Sequence, residues 1–350
     1  MKGEFRRILN PISRKIVLAQ ESYLYFGGTA YLGIPQHKEF HRLYLEGLTQ
    51  FGLNNGTSRN NNVQLSIYDE AEQFAATYFG ASACLITSSG YTAAQLTVKH
   101  LSTLGEVRYA PATHPALWLN EAPKTSGSFN EWARALVTEI NQSKVENWVI
   151  ISNSLNNLYP EVYDFSFVEE INEEKKIILI VDDSHGIGIL NTFSTLPIKN
   201  NMEIVMVASM AKALGVDAGL VLGSQNIISL LKQTHEFLGA SPPSAAGLFA
   251  FKNASLIYEE ERRKLKDLTK RLIVALKGDS KWAFTPNFPV FLTTSVSAEE
   301  KLMTQRILIS SFAYPDKNGS LINRLVLSSW HTLADIEELI LALANITRHK

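Results

Sequence analysis

The sequence of 350 residues has one cysteine, no long apolar run and a net charge of -1. One thiol, Cys84, excludes a disulfide within the chain, and its apolar neighbours predict a buried core residue. No apolar run approaches the roughly 18 residues of a membrane helix, so we expect no membrane partner. The near-zero charge gives no electrostatic argument for nucleic acid binding.

The N-terminal 18 residues are basic but lack a continuous apolar core and a small-residue cleavage site. This pattern is not that of a secretory signal, so we expect a cytoplasmic protein. The length allows one large domain and a smaller one. We predict an N-terminal arm over residues 1–35, a large cofactor-binding domain over 36–240 and a small C-terminal α+β domain over 241–350.

Short apolar runs alternate with helical patterns through the large domain. Unbroken apolar strands are typical of parallel sheets that helices cover on both faces, so we predict an α/β fold with a mostly parallel sheet. Ligands of such sheets bind beyond the carboxyl ends of the strands. The predicted strands span residues 83–87, 107–110, 148–152, 176–182 and 204–208.

Helical patterns and caps predict the covering layer and the C-terminal domain. A second sheet is expected from residues 290–294, 306–312 and 325–328, and two caps are expected from Ser66 with Asp69 and from Thr332 with Asp335. The predicted helices span residues 6–9, 37–50, 66–79, 91–100, 116–120, 128–141, 167–173, 227–238 and 245–277, with a last helix after Thr332.

Lys212 stands just after the apolar run 204–208, among small residues. Enclosing its charged end costs several kcal/mol unless the amine is paired or neutral. One use for such a lysine is as a nucleophile that forms a Schiff base with an aldehyde cofactor. Taken alone, a surface lysine in a connecting loop is the simpler interpretation.

Three other places offer polar side chains beside predicted strands. Ser89 and Gly90 precede a helix, whose first N–H groups favour an anion such as phosphate. Asp182 and His185 follow the apolar run 176–182. With Asp183 they are compatible with turn capping or with a metal site.

Two loops carry further candidates whose role stays open at this point. His114, in the loop 111–115, is either a surface histidine or an aromatic plate in a site. Arg59 lies in a loop rich in Gly, Asn and Ser (residues 51–62), which is either a plain surface loop or the lining of a polar site with Arg59 as its anchor.

Taken together, Lys212, Asp182, His114, Ser89 and Gly90 match the requirements of pyridoxal 5'-phosphate. The lysine forms the imine and the aspartate keeps the pyridine nitrogen protonated. The helix N-terminus holds the phosphate, and an aromatic ring covers the cofactor face. The order of these residues on successive elements of one sheet predicts a pyridoxal-phosphate site without a metal.

Motifs spread over most of the chain resemble those of the α-oxoamine synthases, a group of fold-type I pyridoxal-phosphate enzymes. The similar segments are Tyr31-Leu32-Gly33 (NYLG), the loop 52–59 (a glycine-rich loop ending Gly-Ser-Arg), Ser88-Ser89-Gly90-Tyr91 (SSGY), Thr113-His114 (Asn-His), residues 181–188 (VDEAHSTG), residues 209–215 (TLSKALG) and residues 324–332 (RLTLSAAHT).

The resemblance implies a fold-type I aminotransferase-like fold and a role for each matching residue. Lys212 would be the imine lysine and proton-transfer base, Asp182 the partner of the pyridine nitrogen, and His185 a neighbour of the ring hydroxyl. His114 would stack on the ring, and Arg324 would bind a substrate carboxylate as a planar fork. The phosphate would be bound by Ser89, Gly90, Tyr91 and Ser209.

The resemblance further implies a homodimer with sites between subunits, and as substrates an amino acid and an acyl thioester of coenzyme A or a carrier protein. The chain departs from the family at Val63, Gln64, Leu65 and Tyr68, in the segment 153–161, and at Gly239. Because the segment 153–161 is substituted, an aminotransferase or another amino-acid-transforming enzyme is the alternative to the acyltransferase. A catalytically silent protein is the third possibility.

Overall fold

The central sheet of the computed structural model has six strands, which lie between residues 83 and 223. The structure describes residues 5, 7–156, 158–190, 192–314 and 318–348. The strands of this sheet are β3 (Ala83–Thr87), β4 (Glu106–Tyr109), β5 (Asn147–Asn153), β8 (Lys176–Asp182), β9 (Met202–Ser209) and β10 (Gly219–Gly223). Their order across the sheet is β3-β10-β9-β8-β5-β4.

The neighbours β4, β5, β8 and β9 are parallel, whereas β10 runs antiparallel to both β9 and β3. The predicted mostly parallel sheet is therefore confirmed. Successive side chains of a strand point to opposite faces. Leu179 and Val181 thus join one apolar cluster and Ile180 joins another, so apolar residues are required at the interior positions of β8, residues 177–181.

Helices cover both faces of this sheet. The helices of this half are α1 (Lys38–Phe51), α2 (Ile67–Phe79), α3 (Gly90–Leu101), α4 (Phe129–Gln142), α5 (Gln225–Lys232), α6 (His235–Gly239) and α7 (Ala245–Lys252). On one face α3 packs against β9 and β10, and α5 packs against β3; on the other, α2 packs against β3 and α7, which also contacts α1.

A second six-stranded sheet joins the two ends of the chain. Its strands are β1 (Lys15–Leu18), β2 (Glu21–Phe26), β11 (Trp282–Phe284), β12 (Val290–Thr293), β13 (Ile307–Tyr314) and β14 (Ser320–Val326). Their order is β1-β2-β13-β14-β12-β11, in which the pair β2–β13 is parallel and the other pairs are antiparallel. The remaining strands, β6 (Leu155–Asn156) and β7 (Glu161–Val162), form a small hairpin.

Strands β1 and β2 lie in the predicted N-terminal arm, yet they pair into the sheet of the C-terminal residues. The division at residues 35 and 240 stays a prediction.

The helices of the C-terminal part are α8 (Ser255–Leu276), α9 (Ala298–Met303) and α10 (Leu333–Arg348). The helices that the structure describes include none with the length and apolar character needed to cross a membrane.

Two long predicted helices are each divided in two. The stretch 245–277 breaks after α7, where the Asn253 side chain donates to the Phe249 carbonyl (2.8 Å) and competes with the helical ladder. The stretch 227–238 breaks before α6, where the Thr234 hydroxyl accepts the Phe237 N–H (3.3 Å) as a new N-cap.

Other local predictions were wrong in type or in detail. Residues 116–120 and 167–173 form only the short 3₁₀ turns Pro115–Leu117 and Ser166–Glu170. Residues 7–9 are not helical, and Arg6 lies outside the described residues. Ser66 has helical backbone angles and its side chain makes no cap, so the predicted capping box is absent there.

The cap at the start of α10 is confirmed. The Thr332 hydroxyl accepts the Asp335 N–H (3.2 Å), and Asp335 Oδ2 accepts the Thr332 N–H (2.7 Å). This exchange satisfies two backbone donors that a helix start leaves without intrahelical partners.

A buried carboxylate joins α2 to the central sheet. Glu72 is 4% exposed, accepts the Ile86 N–H (3.1 Å) and pairs with Lys232 Nζ at 2.5 Å. Arg59 Nη1 lies 3.5 Å from the same carboxylate. Removal of the carboxylate would leave the Ile86 N–H without its acceptor and would take a negative charge away from Lys232 and Arg59.

We expect Glu72→Ala to lower the free energy of unfolding by about 3 kcal/mol, because one partner of a buried charged network is removed. The measurement is urea unfolding at a fixed protein concentration. Glu46→Ala is the matched control: this glutamate is 48% exposed and pairs with Arg42 on the surface of α1, so its loss should cost less than about 1 kcal/mol. Equal losses for the two variants would contradict the role given to Glu72.

Candidate active site

The predicted site residues meet at the carboxyl edge of the central sheet. Asp182 is the last residue of β8 and lies opposite Asn153, the last residue of β5. His114, Leu155, His185 and Lys212 line one cavity together with these two residues. The edge where parallel strands end is where ligands of such sheets bind.

Lys212 lies in the turn after β9 and points its amine at the turn after β8. Its Nζ is 3.0 Å from Nε2 of His185. Burial lowers the pKa of the Lys212 amine; the negative charge of Asp182 opposes this shift, and the positive charge of Arg324 adds to it. The amine therefore loses its proton more readily than an exposed lysine does.

His185 connects Lys212 to a tyrosine from the N-terminal segment. Its Nδ1 lies 2.7 Å from the hydroxyl of Tyr31. Burial, and then the charge of Lys212, hold the pKa of the imidazole well below its usual range. The ring is thus held neutral between a phenol and an amine.

His114 is positioned by Asn153. The His114 N–H donates to Asn153 Oδ1 (3.1 Å), and Asn153 Nδ2 donates to the Ala112 carbonyl (2.7 Å). The ring lines the cavity although the residue remains exposed on its outer side. Burial of its inner side lowers the pKa of the imidazole, whereas Asp182 acts in the opposite direction.

The N-terminus of α3 meets the end of β9 closely. The Ser89 hydroxyl caps α3 by accepting the Thr92 N–H (3.1 Å). A Cβ on Gly90 would lie 2.6 Å from Cβ of Ser209, so the approach requires a glycine. The N-terminus of α3 and Ser209 therefore lie side by side and form a cradle that suits a phosphate.

Tyr91 follows Gly90 in the first turn of α3 and is 61% exposed. The end of β9 is held in place by Ser184, whose hydroxyl accepts the Ser209 N–H (2.9 Å), while the Ser184 N–H donates to Asp182 Oδ1 (2.9 Å). Hydrogen bonds therefore link the cradle at Ser209 to the carboxylate at Asp182.

Arg324 reaches the site from the second sheet. It is 8% exposed on β14, and its guanidinium carbon lies 5.1 Å from the centre of the Phe312 ring. Its charge contributes to the lowered pKa values of Lys212 and His185. A buried guanidinium so placed is suited to a carboxylate ligand.

A second carboxyl group lies behind the site. Asp183 is fully buried, and burial raises its pKa to about 7, against smaller opposing effects of the hydroxyls of Ser154 and Thr192. The part of the chain that the structure describes contains no group of three or more His, Cys, Asp or Glu side chains able to hold a metal ion. Asp182, Asp183 and His185 therefore do not form such a group.

Arg59 packs on α2 and is not among the residues that line the cavity. Its guanidinium bonds to Asp69 (3.2 Å) and lies 4.9 Å from the centre of the Tyr68 ring, so it fastens its loop to α2. Sequence reasoning missed Tyr31, Asn153 and Ser184 as parts of the site. Asn153 could have been found, because it ends an apolar strand at the same sheet edge as Asp182.

The donor set fits the predicted cofactor. It provides a buried amine, a carboxylate at a strand end, a ring beside the cavity and a cradle next to a helix N-terminus that a Cβ at Gly90 would fill. These are the groups that pyridoxal phosphate requires of a protein.

The profile of the family Aminotransferase class I and II matches residues 14–343. The chain belongs to this family. Among curated relatives, a putative 8-amino-7-oxononanoate synthase of Methanococcus vannielii is 25% identical and covers 93% of this chain and 92% of its own length. The 8-amino-7-oxononanoate synthase of Herminiimonas arsenicoxydans is 24% identical, over 98% of this chain and 95% of its own.

Solved structures of the family share the fold. Serine palmitoyltransferase of Sphingomonas wittichii superposes with a TM-score of 0.82 at 14% identity and covers 98% of this chain and 92% of its own. The 8-amino-7-oxononanoate synthase of Francisella tularensis gives a TM-score of 0.73 at 16% identity, over 93% of this chain and 98% of its own. The predicted fold-type I architecture and the predicted resemblance are confirmed, and so is the class of enzyme, a transferase.

We expect Gly90→Ala to weaken binding of pyridoxal phosphate about tenfold or more, because the added methyl group forces Ser209 and α3 apart. The measurement is an absorbance titration with the cofactor. Gly223→Ala is the control. Apart from its two neighbours in the chain, the nearest atom to a Cβ at Gly223 is 3.4 Å away, which is an ordinary contact. Unchanged affinity in Gly90→Ala would mean that the phosphate binds elsewhere.

Asp183 predicts a pH dependence of stability. Its pKa rises from an ordinary value of 3.8 to about 7 in the folded chain, so between these values the folded state holds a proton that the unfolded state has released. Stability therefore falls as the pH rises from about 4 to about 7. Relative to wild type, Asp183→Asn should gain up to about 4 kcal/mol across this window in cofactor-depleted protein.

The measurement is denaturant unfolding at several pH values, with Asp267→Asn on the exposed side of α8 as the control. The control should follow the wild-type profile throughout. A constant difference between Asp183→Asn and wild type from pH 4 to pH 8 would contradict a raised pKa for Asp183.

Proposed function

We propose that the protein is a pyridoxal-phosphate-dependent acyltransferase that condenses a small amino acid with an acyl thioester and releases carbon dioxide, as an 8-amino-7-oxononanoate synthase does. The observation that carries the proposal is the meeting of Lys212, Asp182 and His185 at the sheet edge, with the charge of Arg324 acting on the same amine. The similarity to curated synthases over nearly the whole chain supports the same reaction class.

Pyridoxal phosphate is supported as the cofactor by the donor set and by a related serine palmitoyltransferase that was solved with bound PLP and myriocin. When bound, it supplies an aldehyde and an electron-accepting ring. Lys212 offers the amine, Asp182 a carboxylate for the pyridine nitrogen, and His114 a ring for the cofactor face. The cradle at Ser89, Gly90, Tyr91 and Ser209 is proposed for the phosphate, and His185 for the ring hydroxyl.

The chain's own groups then divide the work on the amino acid. Arg324 holds the substrate carboxylate with a planar pair of N–H donors, which fixes the orientation of the α-carbon. Lys212, whose pKa is lowered by burial, takes up the α-proton as a neutral amine. Asn153 and Leu155, both buried beside the cavity, would limit the access of water to the substrate α-carbon.

We also propose a homodimer, as the resemblance implies. Light scattering coupled to size-exclusion chromatography should give twice the mass of 39.0 kDa. The location in the cytoplasm, and the choice between coenzyme A and a carrier protein, stay predictions.

The reaction is tested by incubating the holoenzyme with one amino acid and one acyl-CoA at a time and measuring the thiol that is released. Thiol release that requires both substrates supports the proposal, and Lys212→Ala should abolish it. No release across small amino acids and a series of acyl lengths would contradict it.

The segment 153–161 favours one second candidate, an aminotransferase, because the chain departs there from the motif of the family that it resembles. It forms the hairpin β6–β7, and Leu155 lines the cavity. Conversion of the bound cofactor to its amine form by an amino acid alone, without thiol release, would select this function.

We expect Arg324→Lys to raise KM for the amino acid about a hundredfold and to change KM for the thioester little, because a lysine cannot supply the bidentate contact. Steady-state thiol release measures both constants. Arg271→Lys is the matched control: this arginine makes a bidentate contact of 2.6 and 2.8 Å with Glu337 on the surface. Equal effects on both substrates would argue that Arg324 supports the fold instead.

A further inference from the structure

Tyr31 makes a close polar contact within the site. None of the roles that the family resemblance implies explains this contact. Its hydroxyl is 2.7 Å from His185 Nδ1, and the opposite ring nitrogen, Nε2, is 3.0 Å from Lys212 Nζ. A phenol, an imidazole and an amine thus form a continuous hydrogen-bonded chain. Tyr31 is 1% exposed, so water has no access to its side chain.

The chain of contacts allows two arrangements of hydrogens around a neutral imidazole. In one, the phenol donates to Nδ1, and the imidazole carries its hydrogen on Nε2. In the other, Nδ1–H donates to the phenol oxygen, and the hydrogen of the phenol needs a further acceptor.

The surroundings of Tyr31 disfavour the second arrangement. In the described part of the chain, the hydrogen bond recorded for the phenol oxygen joins it to His185. The charged group that acts on Tyr31 is Arg324, and a guanidinium has no acceptor to offer. A buried hydroxyl hydrogen without an acceptor is costly, so the first arrangement is favoured.

We propose that Tyr31 is a positioning residue that donates its hydroxyl hydrogen to Nδ1 of His185 and thereby fixes the Nε2–H tautomer. The Nε2–H then points at Lys212 Nζ, which must accept the hydrogen bond and is therefore held as a neutral amine. This is the nucleophilic form of a lysine. The proposal rests on the proposed function only in treating Lys212 as the reacting amine.

The lowered pKa values of His185 and Lys212 agree with two neutral groups in contact. The charged and titratable groups that act on this pair are Asp182, Asp183, Arg324 and His114. The two aspartates favour a protonated Lys212, so the tautomer of His185 works against them. Loss of the phenol would remove this bias, because an unprotonated Nε2 accepts from an ammonium group.

The first test uses cofactor-depleted protein labelled with ¹⁵N-histidine. Wild type should show the ¹⁵N pattern of the Nε2–H tautomer at His185, with the signal assigned by its loss in His185→Gln. Tyr31→Phe should shift this signal toward the Nδ1–H tautomer or a mixture. Tyr109→Phe is the control, since that phenol donates to the Leu117 carbonyl (3.1 Å), and it should leave the pattern unchanged.

The second test measures the rate at which the same proteins form the imine band with added pyridoxal phosphate near neutral pH. A rise of one unit in the Lys212 pKa would slow this step about tenfold in Tyr31→Phe, and the control should match wild type. If the ¹⁵N pattern of wild type shows the hydrogen on Nδ1 of His185, the proposal is overturned whatever the variants show. The tautomer is read without substrate or turnover, so its outcome is independent of whether thiol release is observed.

Discussion

The burial of one amine at the carboxyl edge of a parallel sheet is the constraint on which the rest of the structure depends. Lys212 gives up hydration there, and its pKa falls for that reason. The cost is limited because β8 and β9 bring Asp182 and the turn with His185 to the same edge. A shift of one residue in the register of these two strands would reverse which side chains face the site.

The cradle beside this amine depends on the absence of side chains. Gly219 on β10 approaches the Ser89 carbonyl so closely that a Cβ would lie 2.2 Å from the oxygen, and Gly90 meets Ser209 in the same way. These approaches lock α3, β9 and β10 together, so the position of the helix N-terminus relative to Lys212 is a consequence of strand packing. The antiparallel β10 is therefore part of the site's support.

Sequence reasoning could predict the central sheet and the residues that meet at its edge, because unbroken apolar strands and polar residues at strand ends are local signals. It could not predict that the stretch 245–277 divides after α7, since the interruption depends on the side chain of Asn253 bonding backward to a carbonyl. Nor could it find β1 and β2 in the second sheet, because the pairing of β2 with β13 joins residues far apart in sequence.

The pairing of β2 with β13 also explains how Tyr31 and Arg324, which are far apart in sequence, both reach the site. The Ser329 N–H donates to the Tyr31 carbonyl (2.9 Å), and the hydroxyl of Ser328 donates to the Ala30 carbonyl (2.5 Å). The segment with Tyr31 is thus tied to the segment that follows Arg324. The Tyr31 hydroxyl, which contacts His185, and the Arg324 guanidinium are therefore fixed relative to each other. A shift of the second sheet would move both groups.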